Sequence, residues 1–303
     1  SRPELLEALT AFEVFLERET HLSLGDLAVA VFSNGRGPHR EREPASRLAI
    51  IASSRVDLAR KLAEAKAALA APRPARFDPT GIYFCEAPLA TTGKVAFLFP
   101  GQGSQYVNML ADLAVQFPEV GAWFERGDRL LAGRLPAPLT HYVFPPATLD
   151  AEEMVSLEKD LADTRIAQPA MGIADLALFN LLQSFGIEPD LTAGHSYGEY
   201  VALSASGVLS PDDLITLSEA RARFIADGGA AASGTMAAVN ADVDTVSAHI
   251  EGIEGVWVAN INAPQQTVIA GTRAGIEGAA DVLLRAGLQT RPIPVSCAFH
   301  SPL

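Results

Sequence analysis

The chain has 303 residues, 49% hydrophobic and 19% charged, with a formal net charge of −13. That length calls for two or three domains around a sizeable core, and the composition carries no disorder signature. So negative a chain is not expected to bind nucleic acid, which needs a positive surface, and no apolar run approaches the length that spans a bilayer.

The first twenty residues carry Arg2, Glu4, Glu7, Glu13, Glu17, Arg18 and Glu19, so they do not read as a signal peptide. Cys85 and Cys297 are far apart and supply neither a disulfide framework nor a metal-binding spacing. Both read as small core residues, and their number suits a reducing cytoplasm.

Residues 1–92 read as a small α/β unit. Ser1-Arg2-Pro3-Glu4 has the form of a helix start, with an N-cap and an early proline ahead of Leu5, Leu6, Leu9, Phe12 and Leu16. A second helix is expected from Ser23, closed by Asn34-Gly35. The run His39-Arg40-Glu41-Arg42-Glu43-Pro44 mixes charges and reads as a solvated loop. A short β-branched stretch at 47–53 predicts a strand, and 57–71 a helix by propensity. The proline-rich segment 72–79 ends that helix, and Ile82-Tyr83-Phe84 suits a returning strand. Nothing in this unit has the pattern of a reactive site.

Val95-Ala96-Phe97-Leu98-Phe99 is apolar throughout, as a strand buried on both faces would be. It runs into Pro100-Gly101-Gln102-Gly103-Ser104-Gln105, a loop able to present backbone N–H groups to an anion. The lysine of a phosphate-cradling loop and the spacing of a dinucleotide fingerprint are both absent, so the loop suits a single oxyanion. Helices are expected at 109–117 and 120–131, an irregular surface excursion at 136–146, and a long apolar helix at 166–182. Another helix, capped by Ser210-Pro211-Asp212-Asp213, carries Arg221 and Arg223. Alternating strands and helices predict a parallel sheet. From residue 233 to 296 the predicted order is β-α-β-β-α-β, the ferredoxin-like arrangement.

Between the long helix and the capped one lies Gly194-His195-Ser196-Tyr197-Gly198, a serine flanked by glycines where a strand turns sharply into a helix. This is the form of a nucleophile elbow, in which strand and helix pack too closely for a Cβ on either flank. Taken alone, it is also the form of a tight structural turn with an inert serine.

Phe99-Pro100-Gly101-Gln102-Gly103-Ser104-Gln105, Gln168-Pro169-Ala170, the elbow, Arg221 and Ala298-Phe299-His300-Ser301-Pro302 follow one another in a single order. Together they resemble the malonyl-CoA:acyl carrier protein transacylase family, specifically the acyltransferase domain of a type I synthase. The resemblance covers 93–303 and implies an α/β-hydrolase-like large subdomain with an inserted ferredoxin-like small one. Residues 1–92 resemble the linker domain between a ketosynthase and its acyltransferase. The wording of the motifs is nearest to iterative polyketide synthases of the enediyne and polyunsaturated-fatty-acid type.

The resemblance implies Ser196 as nucleophile and His300 as general base and acid, with an oxyanion hole from the backbone N–H groups of Gln102 and Tyr197. It implies Arg221 as the partner of a substrate carboxylate, and Phe299 as the ring that leaves no room for a methyl at C2, favouring malonyl over methylmalonyl. Gln168, Asn260 and Asn262 are implied as polar groups around the substrate; Cys297 departs from the histidine that malonyl-type members often carry there. His195 reads as a packed structural residue.

Malonyl-CoA is then the donor substrate, an acyl carrier protein domain the acceptor and a ketosynthase domain the neighbour, with no cofactor and no metal. Family members continue beyond the point that matches Leu303, and a carbonyl from that later part orients the histidine; without it, a damaged sheet and a poorly held His300 are expected. Two rivals stay open at the level of sequence: a serine hydrolase on acyl thioesters, which has no need of Arg221, and a non-catalytic docking module.

Overall fold

In the computed structural model the described residues are 1–35, 46–71, 77–78, 81–86, 93–229, 234–293, 295 and 297–303. The chain divides into two compact units, Ser1–Val95 and Ala96–Leu303.

The first unit comprises α1 (Arg2–Arg18), α2 (Leu24–Gly35), β1 (Arg47–Ile50), α3 (Arg55–Ala70), β2 (Phe77–Asp78) and β3 (Ile82–Cys85). Its strands form an antiparallel sheet in the order β1-β3-β2. Leu9, Leu16, Leu27, Leu58, Leu62, Leu69, Ile82 and Phe84 make its core. Ser54 caps α3 by accepting a hydrogen bond from the Asp57 N–H. The charged run at 39–44 lies outside the described residues, as does most of the proline-rich segment.

The second unit opens with β4 (Ala96–Phe99) and continues through α4 (Ala111–Gln116), α5 (Pro118–Leu130), α6 (Leu139–Val143), α7 (Ala151–Ala162) and α8 (Thr164–Ser184). Then come β5 (Leu191–Gly194), α9 (Gly198–Ala205) and α10 (Pro211–Gly229). α8 is the spine, buried at nearly every position from Ile166 to Ala177. Gly127 of α5 lets the two helices meet closely, since a Cβ there would lie 2.1 Å from Ile173 Cδ1.

Two expectations need correction. Among the described residues the predicted parallel sheet consists of two strands only, β4 and β5, paired from Ala96↔Leu191 to Phe99↔Gly194. The segment 136–146 is not a surface excursion: Leu139 and Val143 of α6 are wholly buried. Its prolines frame a short helix whose first-turn Thr140 bonds Asp128 through both its N–H and its hydroxyl.

The last segment runs β6 (Gly234–Val239), α11 (Val243–Ile250), β7 (Val256–Ala263), β8 (Gln266–Thr272), α12 (Arg273–Arg285) and β9 (Thr290–Ile293). Its strands pair antiparallel in the order β7-β8-β6-β9. Strand periodicity divides its core. Val239, Ile269, Val246, Ile250, Ile276 and Leu283 pack between sheet and helices, while Met236, Val268, Ala270 and Ala298 gather on the opposite face with Phe299.

Candidate active site

The elbow is forced by backbone crowding. A Cβ on Gly194 would lie 2.0 Å from the Gly198 carbonyl carbon, one on Gly198 would lie 2.1 Å from the Phe99 carbonyl oxygen, and one on Gly101 would lie 2.5 Å from the His195 carbonyl oxygen. No side chain fits at any of the three. The chain leaves β5, bonds the His195 N–H to Phe99 O, and turns at once into α9. Ser196 takes φ 54°, the left-handed region that a non-glycine residue enters only when its surroundings over-determine it.

This turn carries Ser196 Oγ to 2.7 Å from His300 Nε2. With a neutral imidazole the hydroxyl donates and the ring nitrogen accepts, the arrangement of a nucleophile beside its base. His300 also has a positive φ, 57°. A short turn holds it, in which Phe299 N–H bonds Cys297 O and the Ser301 hydroxyl bonds Ala298 O. Among the described residues its Nδ1 has no hydrogen-bond partner, yet the expected poor hold on the ring does not keep Nε2 from the serine. Desolvation holds the pKa of His300 below the usual histidine value; the positive charge of Arg221 adds to this and Glu199 opposes it.

Beside the serine, the glycine loop brings Gln102 up to the elbow. A Cβ at Gly101 would lie 3.4 Å from the Tyr197 nitrogen. Within the loop, the Gly103 N–H bonds Gln105 and the Ser104 N–H bonds Gly101 O. The N–H groups of Gln102 and Tyr197 have no acceptor among the described residues. The Tyr197 group lies where α9 begins, a position that favours negative charge.

Arg221, on α10, is half-buried and stacks its guanidinium over Tyr200, 5.3 Å from the ring centroid. Its neighbours are spoken for: Arg223 and Arg134 both bond Glu219. Arg221 itself has no anionic partner among the described residues. Phe299 is partly buried against the apolar cluster of Met236, Val268 and Ala270, so its ring is anchored on the β7-β8-β6-β9 sheet one residue before His300.

Of the three polar residues that the resemblance implies, one bonds the elbow and two do not. Gln168 is only 1% exposed and donates to Gln102 Oε1 at 3.2 Å, while Gln102 in turn donates to Thr164. It braces the glycine loop from behind and is not open to a substrate. Asn260 sits at a bulge in β7 and bonds none of the other site residues. Asn262, two positions on, reaches the site: His195 Nε2 donates to its Oδ1 at 3.1 Å, and its own amide donates to Gln266. His195 is therefore an exposed bridge between the elbow and β7, not a packed structural residue. Alternation along β7 would put Asn260 and Asn262 on one face, and the register shift between Ile261 and Ala263 falls between them.

Residues 96–303 match the family description "acyl transferase domain". The chain belongs to that family. A malonyl CoA-acyl carrier protein transacylase of Bacillus subtilis (strain 168) is 37% identical over 216 residues, covering 69% of this chain and 64% of that protein. A polyunsaturated fatty acid synthase polypeptide from Thraustochytrium sp. is 32% identical over 235 residues, 75% of this chain and 8% of that one. The solved acyltransferase domain from the second module of the salinomycin polyketide synthase aligns with a TM-score of 0.68 at 31% identity. It covers 97% of this chain and 62% of its own. The chain thus spans less than two thirds of each of these relatives. In this acyl transferase domain no described helix is long and apolar enough to cross a membrane.

Proposed function

We propose that the chain moves a malonyl group from malonyl-CoA to the phosphopantetheine thiol of an acyl carrier protein through an ester on Ser196. The single observation that carries this is the 2.7 Å contact of Ser196 Oγ with His300 Nε2, beside two N–H groups without acceptors among the described residues. His300 takes the serine proton as Oγ attacks the thioester carbon. The Gln102 and Tyr197 N–H groups hold the oxyanion, and loss of one such donor costs about 3 to 4 kcal/mol in comparable sites. Collapse breaks the C–S bond, and His300 returns the proton to the departing CoA sulfur. The carrier thiol then repeats the sequence in reverse, giving ping-pong kinetics.

Arg221 is the reason for a diacid: a guanidinium without an anionic partner among the described residues offers a carboxylate two parallel hydrogen bonds. The ring of Phe299 favours malonyl over its C2-methylated relative, a preference of roughly 1 to 3 kcal/mol, the usual worth of one methyl group. Gln168 acts through Gln102, and of the two implied asparagines Asn262 is the polar group at the rim. This chemistry calls for no cofactor.

The wider setting is a multifunctional synthase in the cytoplasm. Alignment over 97% of the chain with a polyketide-synthase acyltransferase necessarily takes in the first unit, which supports reading it as a ketosynthase-to-acyltransferase linker domain. Similarity to a polyunsaturated fatty acid synthase supports an iterative assembly line. The β-α-β-β-α-β segment is read as the ferredoxin-like insertion in an α/β-hydrolase-like subdomain.

The test is intact mass after incubation with malonyl-CoA, then with a phosphopantetheinylated carrier protein. A malonyl adduct that appears on the wild type, is absent from Ser196→Ala and is discharged by the carrier supports the reading. An adduct on Ser196→Ala, or none on the wild type, overturns it.

A further inference from the structure

Tyr197 does something with its side chain that an oxyanion-hole residue has no need of. Its ring is wholly buried, 1% exposed, and its hydroxyl lies 2.6 Å from Ser218 Oγ on α10. A buried phenol is costly unless its hydroxyl is bonded, and packing alone would be served by a leucine. Room for it is made deliberately: a Cβ at Gly172 of α8 would lie 2.3 Å from the Tyr197 oxygen.

The direction of the bond follows from the proton count. Ser218 Oγ is also 2.6 Å from Leu214 O, and a carbonyl can only accept. The one serine proton goes there, so Tyr197 donates to Ser218. Burial pushes the phenol pKa up, which keeps that proton in place.

A second contact runs parallel to the first. Tyr200, one turn along α9, stacks on Tyr197 with centroids 6.3 Å apart and lies under the Arg221 guanidinium. Residues 197 and 200 on one helix thus meet 218 and 221 on the other, each pair three apart and on one helical face. We infer that the rungs Tyr197–Ser218 and Tyr200–Arg221 lock α9 to α10 and set the position of the Arg221 guanidinium relative to the nucleophile. Tyr197 and Ser218 are then positioning residues for the choice of acyl group. The inference rests on the malonyl-transfer reading above: a single CH2 separates the carbonyl from the carboxylate, so a displacement of about 1 Å between serine and guanidinium is felt by malonyl and not by a simple acyl chain.

The experiment measures kcat/KM for acylation by malonyl-CoA and by acetyl-CoA in the wild type, Tyr197→Phe, Ser218→Ala and the double variant, with thermal melts alongside. Each single variant is expected to lower the malonyl value roughly fivefold, as loss of one buried hydrogen bond does. In Ser218→Ala the acetyl value and the rate of Ser196 labelling by a serine-directed phosphonate should stay within about twofold. The double variant should be no worse than the poorer single, because both remove one bond. A malonyl-to-acetyl ratio unchanged in both single variants, or losses that multiply in the double, overturns the inference while leaving the malonyl reading intact. A wild type that takes no malonyl overturns both.

Discussion

The two halves of the proposed dyad are held in different ways. On the serine side, three glycines admit backbone contacts too close for any side chain, a strand pair fixes the approach, and a buried tyrosine ties the first helical turn to α10. On the histidine side, one short turn follows β9, and the imidazole is exposed, with Nε2 on the serine and Nδ1 unpartnered among the described residues. Strain at Ser196 is absorbed by a packed core; the positive φ at His300 sits in a surface turn, where it costs little for a histidine. A nucleophile must be fixed against its oxyanion donors, whereas a base that both takes and returns a proton needs only reach.

The largest effects should expose this contrast. Gly198→Ala drives a Cβ against Phe99 O, where no side chain can yield, so we expect at least about 3 kcal/mol of destabilisation and loss of serine labelling, read by denaturant unfolding and phosphonate reactivity. His300→Asn keeps a residue that tolerates positive φ but removes the base. It should lower acyl transfer by about 10²- to 10⁴-fold while changing stability by no more than about 0.5 kcal/mol.

A second prediction concerns the core beneath the elbow. Asp175 of α8 is buried, its Oδ2 has no partner among the described residues, and burial pushes its pKa from 3.8 to about 7. A carboxyl whose folded pKa is raised binds its proton more tightly in the native state, so stability is lost as pH rises between about 4 and 7. The full loss amounts to at most about 4 kcal/mol. Asp175→Asn removes the titration, and melts across that range should show a flatter pH dependence than the wild type; equal slopes would contradict the assignment.

The smallest effect tests the link between the two halves. Arg221 helps hold the His300 pKa below the ordinary value, so a neutral histidine is available at lower pH. In Arg221→Gln the acid limb of kcat/KM for a substrate without a carboxylate, acetyl-CoA, should move to higher pH. An unmoved limb would mean that desolvation alone sets the histidine.

The elbow was legible because its constraint is local: glycine at both flanks and a serine between are demanded by a turn of five residues. The β-α-β-β-α-β order at 233–296 was legible for a similar reason, since hydrophobic periodicity reports each element separately. Helix α6 was not, because prolines around 136–146 mimic an irregular loop and only contact with α5 and α8 shows Leu139 and Val143 to be core. Nor was the difference between Asn260 and Asn262, implied alike in the chain, since an irregularity of β7 leaves no mark in composition. Gln168, implied in the chain as a polar group near the substrate, is buried and bonds Gln102, a contact that sequence spacing does not reveal.

What the sequence by itself determined is the chemistry available: a serine on an elbow, a histidine about a hundred residues later, an arginine able to take a carboxylate. Only the tertiary structure decided how these groups meet. It brought His300 to Ser196, turned the Tyr197 side chain away from the site toward Ser218, and left Arg221 without an anion among the described residues while its neighbours are paired. Bonds between helices depend on which faces the core brings together, and the spacing of residues along one chain does not contain that information.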